Sequence, residues 1–280
     1  MITQALDVLT PVLLAGLGGL FTELAGILNI GLEGMILFGA FASIVTLHAT
    51  GSYLIAIVAA AVGGLLLGLV FTTCAVRLKA NIFITGLGVN LLAAGAIPFF
   101  SSALFQVKGV LRFDNVMPLP KVLPGLFGGQ TLLFYFALLM VVVVYLALYK
   151  TPFGLRLRSA GTAPELLRER GVSVERYKRL AIWVSGIAAG VAGGALALRL
   201  GVYLPNISAG RGWIALVTIF LGYRNPLGVL LAAILITVTE SLAISAQGAL
   251  EIPNTLLLAL PYLLTLCAMI LYSAMRRLRR

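Results

Sequence analysis

Apolar, uncharged runs of about twenty residues recur from one end of this chain to the other, which leaves few folds open. A hydrocarbon core about 30 Å thick is crossed by about 20 helical residues, each rising about 1.5 Å. Such segments fall near residues 7–22, 30–49, 53–76, 82–106, 130–149, 180–200, 212–223, 226–246 and 255–275. The segment at 212–223 is too short to cross and reads as half of a broken helix, tolerated only where protein surrounds it. Charged residues are 10% of the chain, against roughly 25% in a soluble domain, so this composition cannot cover a water-exposed surface. Strands of about ten residues with alternating polarity are absent, which argues against a barrel. The expected fold is all-α: a polytopic transmembrane bundle of about 8–10 helices with broken or re-entrant segments, forming one domain over residues 1–280.

The formal charge of +11 does not point to nucleic acid, because of where it sits. Basic residues gather at Arg77 and Lys79, between Lys150 and Arg179, and in the tail Arg276 to Arg280. Clusters in alternate loops follow the positive-inside rule. The orientation that results places 150–179, Arg224 and the carboxyl terminus in the cytoplasm, with the loops near 107–129 and 247–254 outside. Lys108, Arg112 and Lys121 then lie outside, outweighed by the eight basic residues of 150–179. The expected location is the cytoplasmic (inner) membrane, multi-pass. Cys74 and Cys267 both lie in apolar stretches and suggest neither a disulfide nor a metal site. The opening MITQALDVLT has no basic n-region and does not read as a removable signal. Glycine pairs such as Gly18-Gly19, Gly63-Gly64 and Gly193-Gly194 read as close helix packing.

No catalytic constellation or G-x-x-x-x-G-K-[ST] loop occurs in the sequence; the chain reads as a non-enzyme that binds no cofactor itself. Three places interrupt the plain bundle. Glu23 to Glu33, ELAGILNIGLE, sets two carboxylates and Asn29 between apolar runs, where burial costs several kcal/mol unless the charges are paired or hydrated. Either the helix unwinds here to expose polar groups to a pathway, or a short cytoplasmic loop joins two spans and Glu33 opens the next helix. Asn90 sits in mid-segment, as interhelical glue or a solute ligand. Asn206 to Trp213, NISAGRGW, leads into the short segment; Arg211 either snorkels to the surface or lines the pathway. Glu23, Asn29, Glu33, Asn90, Arg211 and Trp213 are the candidate pathway residues.

The polar segment 150–179 holds a further local signal. Thr162-Ala163-Pro164-Glu165 has the pattern of a capping box, with Pro164 in the first turn. Gly171 supplies a left-handed stop, and Arg168 suits the carboxyl end of the helix dipole. A helix of about eight residues, roughly 12 Å long, is expected over 163–170. Leu166 and Leu167 are its apolar pair, and buried in a partner's groove each would contribute on the order of 1.5–3 kcal/mol.

At these same places the chain resembles the permease subunits of ABC importers for nucleosides and simple sugars, the ribose-permease-like class served by basic-membrane-protein-type binding lipoproteins. Glu23–Gly34, ending NIGLEG, with TPFGLRLRSAG (Thr151–Gly161), GRGWIALVTIFLGYRNPLG (Gly210–Gly228) and LPYLLTL (Leu260–Leu266), carry the resemblance. Thr162-Ala-Pro-Glu-Leu-Leu departs from the Asn-Pro-x-Ala-Ala common after that cytoplasmic loop. The resemblance implies a type II importer permease fold, ATPase subunits holding ATP and Mg, a second permease (as a heterodimer) and an extracytoplasmic solute-binding lipoprotein. It also makes the helix at 163–170 a coupling helix and the mechanism alternating access. Two alternatives stay open: a simple-sugar permease, and an ion-coupled secondary transporter using Glu23 or Glu33 as its ion site.

Overall fold

The computed structural model describes residues 2–122 and 129–246. Within them run α1 (Ile2–Leu24), α2 (Leu32–Thr50), α3 (Tyr53–Thr72), α4 (Ile82–Phe105), α5 (Leu132–Tyr149), α6 (Pro152–Thr162), α7 (Pro164–Glu169), α8 (Val174–Leu200), α9 (Arg211–Leu221) and α10 (Pro226–Ala246). Seven of these helices are long and apolar enough to cross a membrane, as the recurring apolar runs require. Among the described residues the β structure is a two-residue strand pair, β1 (Leu111–Arg112) against β2 (Val202–Tyr203), antiparallel with Leu111 opposite Tyr203, and an isolated bridge between Lys121 and Thr131. The expected span at 255–275, LPYLLTL, Glu251, Cys267 and the arginine tail lie outside the described residues.

The central helix is α1, 78% buried over its apolar length, whereas α4 at the periphery is 28% buried. Helix α8 runs antiparallel to α1, with Asp7 near one's start paired to Arg199 near the other's end at 3.3 Å. Against α3, α8 packs backbone on backbone: a side-chain carbon on Gly64 would strike the Gly186 carbonyl oxygen, and one on Gly190 the Ala60 carbonyl oxygen. Small residues permit such approach in hydrocarbon, where helix association rests on dispersion contacts rather than water release. The outer faces carry Leu54, Leu91, Leu139 and Leu231, each more than half exposed; such surfaces are stable only against lipid or another membrane chain. Helix α8 begins six residues before the expected 180. Ser173 Oγ accepts from Arg176 N at 3.3 Å, and the basic first turns that follow are too polar for an apolar run to register.

Two irregular segments turn back into the bundle. After α1 ends at Leu24, residues 25–31 lead to an α2 that starts inside the fold, with Gly34 packed on Asn90, about two turns into α4. After β2, residues 204–210 lead to α9, whose 11 residues span about 16 Å, half a hydrocarbon core. Helix α2 runs to the strand-bearing end, where His48 Nδ1 meets Asn115 Oδ1 at 2.7 Å. Helix α9 runs to the opposite, basic end, where Arg224 meets Glu23. The 19-residue α2 and the 11-residue half-helix α9 thus start beside one another and point in opposite directions. Re-entry is legible as broken apolar runs; this inverted pairing is not.

Candidate functional site

Glu33 occupies the first turn of α2 and faces the first turn of α9. Its Oε1 accepts from Ser208 Oγ at 2.5 Å and Gly210 N at 2.9 Å, and its Oε2 accepts from Gly212 N at 2.7 Å. A helix that begins in the middle of a bundle leaves its first amides without water, so they must find protein acceptors. Glu33 supplies them for α9 while its charge suits both helix dipoles. The approach depends on Gly212, where a Cβ would lie 2.5 Å from Glu33 N and 2.8 Å from Glu33 Oε2.

The start of α2 is fastened by two asparagines. Asn29 is fully buried; its Nδ2 donates to Ser185 Oγ at 2.9 Å and Met35 Sδ at 3.4 Å, and its Oδ1 accepts from Gly31 N at 3.0 Å. Asn90 Oδ1 accepts from Gly34 N at 2.8 Å while its Nδ2 donates to the Ile30 carbonyl at 3.0 Å. Asn90 thus ties α4 to the start of α2. Asn29, a candidate pathway residue, exposes no surface in this conformation.

Arg211 does not snorkel to a surface. Its Nη2 lies 3.5 Å from Glu240 Oε1 on α10, with both side chains largely buried. Arg211 Nε and Glu240 Oε2 have no hydrogen-bond partner among the described residues. Trp213, on the other side of the first turn of α9, is 42% exposed, and Glu33 is half-buried. Glu23 lies away from this site at the basic end, its Oε1 2.7 Å from Arg224. Each of Asp7, Glu23, Glu33, Glu175 and Glu240, the carboxylates on described membrane helices, is therefore met by an arginine or by N–H and O–H donors. Ser185, Ser208, Gly210, Gly212, Arg224 and Glu240 were not among the residues expected; their types are common in loops and helices, and only spatial pairing reveals them.

The polar segment departs from its expected form. TPFGLRLRSAG is itself a helix, α6, capped by Thr151 Oγ1 accepting from Gly154 N at 3.2 Å and extended to Thr162. Thr162 Oγ1 donates back to the Arg158 carbonyl at 3.0 Å, so the capping box of Thr162 and Glu165 does not form. Ala163 is the N-cap instead, and α7 has six residues rather than about eight. Pro164 opens its first turn, and Gly171 does take the left-handed stop at φ +72°. Arg168 pairs with Glu175 at 2.8 Å. Leu167 is buried at 7% exposure in the chain's own core, whereas Leu166 is 51% exposed. The two leucines are thus not an exposed pair: one anchors α7 and the other is presented outward.

Comparison with known proteins gives this arrangement its context. A family model described as branched-chain amino acid transport system, permease component, matches residues 1–269. A guanosine ABC transporter permease of Bacillus subtilis (strain 168) is 32% identical over 92% of this chain and 87% of its own length. A nucleoside ABC transporter permease of Lactococcus lactis subsp. cremoris is 31% identical over 94% and 89%. A protein of Haloferax volcanii, provisionally named a glucose ABC transporter permease, is 33% identical over 89% and 78%. Among solved structures, an inward-facing ABC transporter described as of metal-chelate type matches with a TM-score of 0.51 at 16% identity, covering 92% of this chain and 80% of that one; this likeness concerns the fold alone. This chain, a bundle of spanning helices with a short re-entrant helix at α9, is matched along nearly its whole length; it belongs to the branched-chain amino acid transport system permease-component family and is a transmembrane permease of the ABC type.

Proposed function

We propose that this chain is the permease of an ATP-driven importer that carries nucleosides by alternating access between the two faces of the cytoplasmic membrane. The observation that carries the substrate class is the charge balance of the half-helix junction. The α9 amides that would bind an anion are occupied by Glu33, and the Arg211 guanidinium beside them faces Glu240. Helix N-termini with free amides favour phosphates and carboxylates; a neutralised one favours neutral polar solutes. Beside it Trp213 offers a half-exposed aromatic face, suited to stacking a planar base. Two relatives named for guanosine and nucleoside transport agree with this reading. A simple sugar is the second reading, favoured by the relative named for glucose. An ion-coupled mechanism through Glu23 or Glu33 lacks support, because both carboxylates are engaged by protein donors.

In this reading Glu33, Trp213 and Arg211 border the pathway, while Asn29 and Asn90 position it. Helices α6 and α7 dock on an ATPase subunit that holds ATP and Mg; a second, non-identical permease completes the channel and an extracytoplasmic binding lipoprotein delivers the solute. The basic end of the bundle, with the carboxyl terminus, faces the cytoplasm. The test is reconstitution of the whole complex in proteoliposomes with ATP inside and binding protein outside. ATP-dependent uptake of labelled guanosine, unaffected by excess glucose, is expected. Uptake of glucose with no uptake of guanosine, adenosine or uridine would transfer the assignment to sugars.

A further inference from the structure

Three stretches far apart in sequence converge on one cleft of about 480 Å³ at the basic end. They are the end of α1 and the turn after it (Glu23, Gly26), the last turns of α6 (Arg158, Gly161) and Arg224 in the turn between α9 and α10. Here backbone lies directly on backbone. A Cβ on Gly161 would collide with the Leu24 carbonyl oxygen and stand 2.8 Å from Gly26 N, and a Cβ on Gly26, whose φ is +73°, would stand 2.9 Å from Gly161 Cα. Both glycines face the open cleft, and no side chain separates the two backbones, so displacement of one segment presses directly on the other. Across the same cleft Glu23 Oε1 holds Arg224 at 2.7 Å. That arginine and Tyr223 before it adopt φ of 56° and 53°, a left-handed conformation that non-glycine residues keep only when their surroundings over-determine it.

Each side of the cleft leads somewhere. Gly161 is followed after Ala163 by α7, which presents Leu166 outward. Gly26 is followed by the irregular segment that carries Asn29 and leads to Glu33 in the first turn of α2, and Arg224 stands at the base of α9. We infer that the Gly26–Gly161 backbone contact, with the Glu23–Arg224 pair beside it, is the joint through which movement of α6 and α7 reaches the half-helix junction at Glu33. The inference rests on the ATP-driven reading above. Gly26 and Gly161 are positioning residues, and their size decides whether the junction follows the coupling segment.

The experiment uses the complete complex lacking Cys74 and Cys267, with Val217→Cys on α9 as reporter. Trapping with ATP and vanadate changes the rate at which maleimide labels this reporter by about tenfold, the scale of a typical coupling free energy. Adding Gly161→Ala leaves the ATPase subunits bound but reduces the change to within about twofold. A full response in Gly161→Ala overturns the joint. In case that variant fails to assemble, a second complex carries Leu24→Cys and Ser159→Cys, without the reporter, bridged by a short thiol cross-linker. A joint that moves as one unit keeps ATP hydrolysis within about twofold of the unbridged complex; arrest of hydrolysis by the bridge means the two segments slide, and refutes the proposal. Neither readout needs a transported solute. A complex that responds at position 217 yet carries no nucleoside would therefore sink the substrate reading and leave the joint standing.

Discussion

Glu33 serves two helix starts with one side chain, and its worth can be gauged from what its removal would strand. Glu33→Leu leaves Ser208 Oγ, Gly210 N and Gly212 N without their acceptor, and each buried unsatisfied donor costs about 1–3 kcal/mol. Glu33→Gln keeps one oxygen but sets an amide N–H₂ against the donors of the lost one, at a cost of about 1.5–3 kcal/mol for a hydrogen bond to a charged group. Both variants should insert in the membrane. Uptake and thermal stability of the purified complex should rank parent above Glu33→Gln above Glu33→Leu; equal uptake by the leucine variant removes Glu33 from the mechanism. The residue stood out in the sequence because a carboxylate between apolar runs demands a partner. Its partners lie at least 175 positions away, and nothing local to NIGLEG points to them.

At the scale of the element, α7 shows how a correct motif can yield the wrong geometry. Thr162 and Glu165 have capping-box spacing, but the threonine is drawn into α6, where its hydroxyl bonds the Arg158 carbonyl at 3.0 Å. The helix is shorter, and tertiary contact sorts its leucines into one buried and one exposed. The variants therefore part company. Leu166→Asp should leave the melting temperature of the isolated permease unchanged and release the ATPase on purification, since a partner groove cannot solvate a carboxylate. Leu167→Asp should destabilise the permease itself by at least the 2–5 kcal/mol typical of deleting a core leucine. If the ATPase stays bound to Leu166→Asp at parental uptake, α7 does not dock there. Thermal melting of the permease alone, beside co-purification, separates the two effects.

For the whole molecule, orientation joins the coupling segment to the pathway. Helices α1 and α9 end at the face that carries Arg158, Arg168 and Arg224, while α2 ends at the face of β1 and β2. With the basic face in the cytoplasm, Asp114→Cys should react with an impermeant maleimide in intact cells, and Glu165→Cys only after permeabilisation. Both positions are exposed, so access to reagent rather than burial decides the result. Labelling of position 165 from outside would invert the topology and detach α6 and α7 from any cytoplasmic ATPase.

The approximate places of the seven described spans, the break before α9, the polar interruption at Glu23 to Glu33 and the small-residue packing all followed from the chain alone. These features are set by transfer of local segments between water and hydrocarbon, a quantity each stretch of residues carries with it. What only the tertiary structure decided is which polar groups meet. Glu240 facing Arg211, Asn29 facing Ser185 and Gly26 lying on Gly161 are pairings across 29, 156 and 135 positions of chain. A buried carboxylate or amide must find a partner, but its own neighbourhood cannot name one. In a bundle that choice is made by how the helices cross, and crossing depends on the fit of all their surfaces at once.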